Sequence, residues 1–212
     1  MKRKILGLTQ AVLIALVILS GAIALPILCR FVFYWHIAPL HLAEIAGLTV
    51  AQIKTAYNEM MDFCIGLTDT FSAGVLPFSQ SGAAHFADVR RLFVLDLRVL
   101  VVAGILLGAT LLLGRKNPVR LGGHTPGFWS AVGLAVSFLI IGILVALDFQ
   151  KAFEVFHRLF FPGKDNWLFN PWEDPIITIL PAEFFRNCAI IIFAAILICS
   201  GFLLLQDRKR RK

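Results

Sequence analysis

Four long apolar runs are the feature that most restricts how this chain can fold. They cover residues 5–28, 95–113, 128–147 and 188–205. An α-helix needs about 17–25 residues to cross the hydrocarbon core of a bilayer, and every run has that length. A backbone within lipid must also satisfy its own hydrogen bonds, which a helix does within one segment. The runs therefore predict an all-α membrane protein with four transmembrane helices.

Composition supports this prediction. Of the 212 residues, 58% are hydrophobic and 16% are charged, whereas a soluble domain carries about 25% charged residues. The first run follows a basic head, as a signal peptide would, but it is longer than the roughly 7–15 apolar residues of a signal sequence and no small-x-small cleavage site follows. We expect it to remain as a membrane anchor, and residues 1–212 to form a single integral membrane domain.

Basic residues are unevenly distributed among the segments outside the runs. The two tails and the loop between the second and third runs hold eleven of the 20 Lys and Arg residues but one acid, Asp207. Basic segments stay in the cytoplasm, so both termini are predicted to be cytoplasmic. Residues 30–91 and 149–186 are then extracytoplasmic and are expected to form a helical cap. The net charge of +7 reflects this topology and suits anionic lipid, and it does not indicate nucleic acid binding.

One helix is predicted within the first outer segment, where residues 42–65 place apolar side chains at helical intervals among polar ones. Thr49 is a suitable N-cap, with Gln52 three residues later as in a capping box. Two interpretations remain open. The helix is either an amphipathic helix on the membrane surface or a packing helix of a small extracytoplasmic cap.

The second outer segment places a histidine among aromatic residues. Helical spacing puts His157 on one face with Phe153 and Phe161. Pro162-Gly163 then ends the helix, and the next four residues form a turn. In the alternative interpretation this is a juxtamembrane loop anchored by tryptophans, in which His157 is a hydrogen-bonded bystander.

Another histidine precedes the second run. A helix that starts at Ser79 or Ser81 carries His85 and Asp88 at i and i+3, on one face. The carboxylate is expected to hold one ring nitrogen and to leave the other free towards a ligand, as a general base requires. The alternative is a solvated pair at a helix start, which contributes about a few tenths of a kcal/mol.

Both histidines lie at the outer ends of consecutive spans, so they are expected to converge on one site. The sequence contains no nucleophile elbow, no HExxH and no Gly-rich phosphate loop. Histidine acid/base chemistry on a substrate that arrives from the lipid is therefore favoured, without a cofactor or a metal. His124, in the basic loop, has no acidic neighbour there and is assigned no chemistry.

Three other functions are compatible with a four-span protein. A thiol/quinone oxidoreductase would need a reactive dithiol, and no CxxC occurs. The cysteines are Cys29, Cys64, Cys188 and Cys199, and a disulfide between the first two stays open. A His-ligated haem or metal protein would place its ligands inside the bundle rather than at span ends. A scaffolding protein would need none of these polar groups.

Three segments carry a resemblance to a known family. They are HFADV at residues 85–89, FHRLFFPGKDNWLF at residues 156–169 and DPIITILP at residues 174–181. With the four-span layout, the whole chain resembles the lipoprotein intramolecular transacylase family of Gram-positive bacteria, most specifically in the FHxxFFPG stretch. The resemblance implies an enzyme of the bacterial cell membrane. It would move the sn-2 acyl chain of a diacylglyceryl lipoprotein to the α-amine of its N-terminal cysteine, giving the lyso-form lipoprotein.

The resemblance also implies site residues. The family's catalytic histidines fall on His85 and His157, and the supporting motif positions are Asp88, Lys164, Asp165, Asn166 and Trp167. From the charge environment we expect His85, oriented by Asp88, to act as the base and His157 to polarise the ester or protonate the leaving oxygen. Glu154, three residues before His157, adds a negative charge there and so reduces the difference in charge environment between the two histidines. Reversed roles stay open, as do the oligomeric state, the substrate lipoproteins and the lipid entry route.

Overall fold

The computed structural model describes residues 2–115 and 118–211, and the regular secondary structure of these residues is entirely helical. The α-helices of the described chain are Lys2–Leu28 (α1), Arg30–Ile37 (α2), Leu42–Ala46 (α3), Val50–Cys64 (α4), Gln80–Gly114 (α5), Pro126–Leu147 (α6), Phe149–Phe160 (α7) and Ala182–Arg211 (α8). A 3-10 helix at Pro175–Ile179 lies between α7 and α8. The predicted all-α fold is confirmed.

Four of these helices, α1, α5, α6 and α8, are long and apolar enough to cross a membrane. They contain the four runs found in the sequence, so the predicted four-span layout is confirmed. Helix α5 has 35 residues and begins well before its apolar run. The span and the polar segment that carries His85 therefore belong to one continuous helix.

The chain divides into two compact units. The first comprises Met1–Ala24, Asp96–Ala146 and Ile190–Lys212, and the second comprises Leu25–Leu95 and Leu147–Ala189. In the first unit small side chains of α6 allow close packing, because Ala131 is fully buried and Ser130 Oγ donates a hydrogen bond to the Ala11 carbonyl at 2.6 Å. Such small-residue contacts are typical of helices packed within a bilayer.

A polar cluster in the first unit joins the loop before α6 to the end of α8. Asp207 is 1% exposed and accepts hydrogen bonds from the Thr125 backbone N–H at 2.7 Å and from His124 Nδ1 at 2.8 Å. Arg211 Nε lies 3.3 Å from the same carboxylate. His124, which has no acid in its own loop, thus obtains one from a helix 83 positions further along the chain.

Helix α4 belongs to the second unit and begins with the predicted capping box. Thr49 Oγ1 accepts a hydrogen bond from the Gln52 N–H at 3.2 Å, and Gln52 Oε1 accepts one from the Thr49 N–H at 2.9 Å. Tyr57 stacks on Phe33 with ring centroids 3.7 Å apart. The buried residues of α4 are Ile53, Ala56, Tyr57, Met60, Met61, Phe63 and Cys64. This burial favours the packing-helix interpretation over a helix lying free on the membrane surface.

Helix α7 positions the other histidine. Asp148 caps its start by accepting a hydrogen bond from the Lys151 N–H at 2.9 Å. The helix ends at Phe160, before Pro162 as predicted, because proline has no N–H to continue the ladder. Gly163 then takes φ = +71°, a left-handed conformation that a side chain would disfavour. The chain returns through the turn at residues 164–167.

Candidate active site

The second unit brings the two predicted histidines together. His85 lies on the second turn of α5 and His157 lies near the end of α7, and their ring centroids are 5.8 Å apart with 29° between the ring planes. The exposed fractions are 5% for His85 and 8% for His157. One substrate can therefore contact both rings, and little bulk water reaches them.

Aromatic side chains form the walls of this pair. Phe161 contacts both rings, with centroid distances of 5.0 Å to His85 and 5.7 Å to His157. Phe169 packs edge-on against His85 at 5.4 Å, and Trp167 stacks on His157 at 4.8 Å. The aromatic surface predicted around His157 thus extends around His85. Such apolar walls strengthen electrostatic interactions inside the site.

The hydrogen bond of His157 defines its tautomer. Its Nδ1 lies 2.8 Å from the carbonyl oxygen of Phe153, and because a carbonyl only accepts, Nδ1 must carry the proton. The neutral ring then presents an unprotonated Nε2. Burial lowers the pKa of His157 below its ordinary value, and the hydrogen bond to Phe153 partly opposes this. His157 is therefore neutral at pH 7 and has the form of a base.

His85 lacks such a hydrogen bond at its Nδ1. Its Nδ1 is buried and makes no hydrogen bond within the described chain, and the same is true of Asn166 Oδ1. A buried polar atom without a partner costs about 1–3 kcal/mol. Unsatisfied polar atoms beside a second buried histidine mark a place where a bound molecule can supply the missing partner.

Asp88 does not hold His85, contrary to the expectation from the i, i+3 spacing. Both Asp88 oxygens lie 2.6 Å from Lys164 Nζ, and the carboxylate also accepts from Asn166 Nδ2 at 3.2 Å and Arg91 Nη1 at 3.2 Å. Charged donors outcompete a neutral imidazole for a carboxylate. Asp88 therefore ties the turn at residues 164–167 to helix α5.

The remaining predicted site residues occupy three different environments. Trp167 Nε1 donates to the Lys164 carbonyl at 2.9 Å, which closes the turn and leaves the indole stacked on His157. Glu154 pairs with Arg158 at 2.5 Å, so its charge is compensated beside the site. Asp165 is exposed and lines a neighbouring cleft.

Asp174 supports the site and was not among the residues predicted for it. It is 4% exposed and accepts from the Ser79 N–H at 2.8 Å and from Ser79 Oγ at 2.7 Å. Ser79 Oγ in turn accepts from the Gly82 N–H at 2.9 Å and caps α5, as the sequence predicted. A Cβ on Gly82 would lie 2.2 Å from Asp174 Oδ1. The turn of α5 before His85 is thereby fixed to the 3-10 helix, and a partner 95 positions away leaves no local sequence signal.

The cysteines offer no paired thiols. All four are free, and Cys64 is buried, which raises the pKa of its thiol to about 12. Such a thiol is not an activated nucleophile. Within residues 2–115 and 118–211, no group of three His, Cys, Asp or Glu side chains could hold a metal ion.

Fold and site together define a class, namely four-span membrane proteins with two buried histidines side by side in a helical unit. The model of the family described as lipoprotein intramolecular transacylase Lit matches residues 8–185. The chain belongs to this family, and the resemblance seen in its motifs is confirmed.

Solved structures show the same fold. The membrane-integral lipoprotein intramolecular transacylase Lit from Bacillus cereus matches with a TM-score of 0.90 at 24% identity, over 98% of this chain and 95% of that chain. Two variants of that protein, each with one histidine replaced, match with a TM-score of 0.79 at 25% identity. These matches cover 98% of this chain and 91% and 93% of the two variant chains. An uncharacterised Aquifex aeolicus (strain VF5) protein is 29% identical over 58% of this chain and 52% of its own length. The match thus spans about half of that curated relative.

Proposed function

We propose that this protein is an intramolecular transacylase that moves the sn-2 acyl chain of a diacylglyceryl lipoprotein to the α-amine of its N-terminal cysteine. The product is the lyso-form lipoprotein. Membership of the Lit family supports this proposal. The observation that carries it is the buried pair of His85 and His157, with ring centroids 5.8 Å apart.

The reaction needs one proton transfer and no cofactor. A C–N amide bond forms, the sn-2 C–O ester bond breaks, and one proton passes from the amine nitrogen to the departing oxygen. Imidazole, with an ordinary pKa of about 6.5, accepts and releases a proton near neutral pH. Because amine and ester belong to one molecule, positioning supplies much of the rate and no acyl-enzyme is required.

The hydrogen bonds favour the reverse of the roles expected from the sequence. We assign His157 as the base, since its bare Nε2 can take the proton of the attacking amine. His85 is assigned to donate a hydrogen bond to the ester or to the leaving oxygen, because its buried Nδ1 lacks a partner that a substrate oxygen would supply. Asp88 and the turn at residues 164–167 act as positioning residues.

Mass spectrometry of the N-terminal cysteine tests the activity. The transfer conserves mass, so fragmentation must show that one acyl chain has moved to nitrogen. With purified protein and a synthetic diacylglyceryl lipopeptide, or in a strain that lacks other N-acylating enzymes, we expect the N-acyl, monoacylglyceryl form. If wild-type protein leaves the amine free under both conditions, the proposal is wrong.

We also propose that both termini are cytoplasmic and that the site faces outwards from the bacterial cell membrane, because basic residues concentrate in the tails and in one loop. A single cysteine at Leu168, in a variant without the native cysteines, should react with an impermeant maleimide on intact cells. A cysteine at Gln206 should react only after permeabilisation. The opposite pattern would show that the orientation is inverted.

A further inference from the structure

A cleft of about 400 Å³ adjoins the histidine pair, and charged and amide side chains form much of its lining. Gln150, Glu154 and Arg158 contribute from α7, where a spacing of four residues places them on one stripe of the helix. Lys164 and Asp165 contribute from the turn. This volume is typical of ligand sites, which range over about 300–1,000 Å³.

The cleft and the histidine pair share two walls. Phe161 and Trp167 line the cleft, and the same rings contact His157 at centroid distances of 5.7 and 4.8 Å. A molecule held at His157 therefore needs to extend only past these rings to enter the cleft.

Helix α7 separates apolar from polar surroundings. Opposite the polar stripe, Phe156, Leu159 and Phe160 are exposed, as expected for a helix whose apolar face lies in lipid at the membrane interface. His157 lies at the border between the two stripes by helical spacing and is buried. Lipid chains thus have a place on one side of α7, and polar groups have one on the other.

We propose that the cleft binds the first peptide residues that follow the N-terminal cysteine of the lipoprotein substrate. This inference rests on the proposed function. It assigns a binding site to the peptide part of the substrate, whereas the histidines act on the amine and the ester. An acyl chain in the cleft would remove water from the charged side chains without replacing the hydrogen bonds that the water makes. A peptide backbone supplies donors and acceptors that suit side chains of both signs.

The charges of the cleft predict a sequence preference. Lys164 is paired with Asp88, and Arg158 is paired with Glu154. The Asp165 carboxylate makes no ion pair or side-chain hydrogen bond to the rest of the described chain, so it is the charged group of the cleft that remains available to a cation of the peptide. Peptides with a cationic residue close after the cysteine should be preferred over peptides with an acidic one. Exposed ion pairs are weak, so the preference should be roughly 1.4- to fivefold.

The test compares synthetic diacylglyceryl lipopeptides with full-length protein in phospholipid vesicles. The substrates are a cysteine alone and two pentapeptides that differ by Lys or Glu at the third position. Wild-type protein should show a higher kcat/KM for the pentapeptides than for the cysteine alone, and a preference for Lys over Glu. Asp165→Asn should remove the Lys preference, mainly through KM. Lys151→Gln, on α7 but outside the cleft, should retain the preference.

A binding measurement separates this inference from the proposed function. A pentapeptide with a photoreactive residue at its third position should crosslink to residues 150–168, and mapping by mass spectrometry locates the adduct. Equal turnover of all three substrates, or crosslinks confined to other segments, would overturn the inference while leaving the transacylase proposal intact. Crosslinks to residues 150–168 without any N-acylated product would support the cleft and overturn the reaction.

Discussion

His124 in the first unit and the pair of His85 and His157 in the second unit occupy contrasting environments. In the first unit, His124 is held by the buried carboxylate of Asp207 at 2.8 Å and stacks on Phe128 at 3.8 Å. In the second unit, the Nδ1 of His157 donates a hydrogen bond to the Phe153 carbonyl, whereas the Nδ1 of His85 makes no hydrogen bond within the described chain. A carboxylate stabilises the imidazolium and fixes the ring, whereas apolar walls favour a neutral ring that can still take or give a proton. The first environment suits structure and the second suits catalysis.

Replacing each histidine in turn tests most directly whether the two environments differ in function. His157→Asn and His85→Asn keep a polar side chain but remove proton transfer, which is worth about 10²–10⁴ in rate. We expect losses of that size in a purified lipopeptide assay, and near-normal turnover per folded molecule for His124→Asn. Near-full activity of either site variant would show that its histidine is structural.

The Asp88–Lys164 pair tests how strongly the turn positions the site. Asp88→Asn should lower turnover by roughly ten- to a hundredfold, because small displacements of reacting groups are costly, and by less than His85→Asn. The double variant with Lys164→Met should be no worse than Asp88→Asn alone, since the Asp88–Lys164 interaction is already lost in that variant. Asp69→Asn is the matched control, because Asp69 is fully exposed in its pair with Arg90. Additive losses in the double variant would mean that the two residues act separately.

The titration of His157 tests whether its ring is neutral near pH 7. Burial lowers the pKa of His157 below its ordinary value of 6.5, so the base stays unprotonated below that pH. The substrate's α-amine, with an ordinary pKa of about 7.7–8.0, also titrates in kcat/KM, so the test is an NMR titration of the labelled His157 ring, which should give a pKa below 6.5. The same shift contributes to stability fully above about pH 6.5 and is lost as the pH falls towards the folded-state pKa. A measured His157 pKa above 6.5 would contradict the neutral form.

Replacing Asp207 should lower stability and leave turnover nearly unchanged, which is the reverse of what we expect for His85 and His157. Asp207→Asn weakens charge-assisted bonds to Thr125 and His124, each worth about 1.5–3 kcal/mol. We expect a lower unfolding midpoint in detergent and turnover within about twofold of wild type once the fraction of folded protein is considered. A large loss of kcat with unchanged stability would place this cluster in the catalytic machinery.

Local signals in the sequence predicted the spans, the caps at Thr49 and Ser79 and the helix end before Pro162. Each depends on residues within a few positions of one another. The spacing of His85 and Asp88 is equally local, but the predicted contact between them was wrong, because the Asp88 carboxylate binds Lys164, 76 positions away. The Asp174–Ser79 and His124–Asp207 pairs join residues 95 and 83 positions apart. Such pairings depend on tertiary packing, which periodicity and propensity do not encode.

The close approach of Gly82 to Asp174 affects how related sequences should be interpreted. A glycine three positions before a histidine that we propose to be catalytic suggests a backbone that approaches the substrate. Here the missing side chain makes room for a carboxylate of the protein itself, since a Cβ would lie 2.2 Å from Asp174 Oδ1. A side chain at position 82 therefore requires a different residue at position 174. The joint pattern of the two positions across homologues would reflect how the start of α5 is held in place, and it would carry no information about the acyl donor.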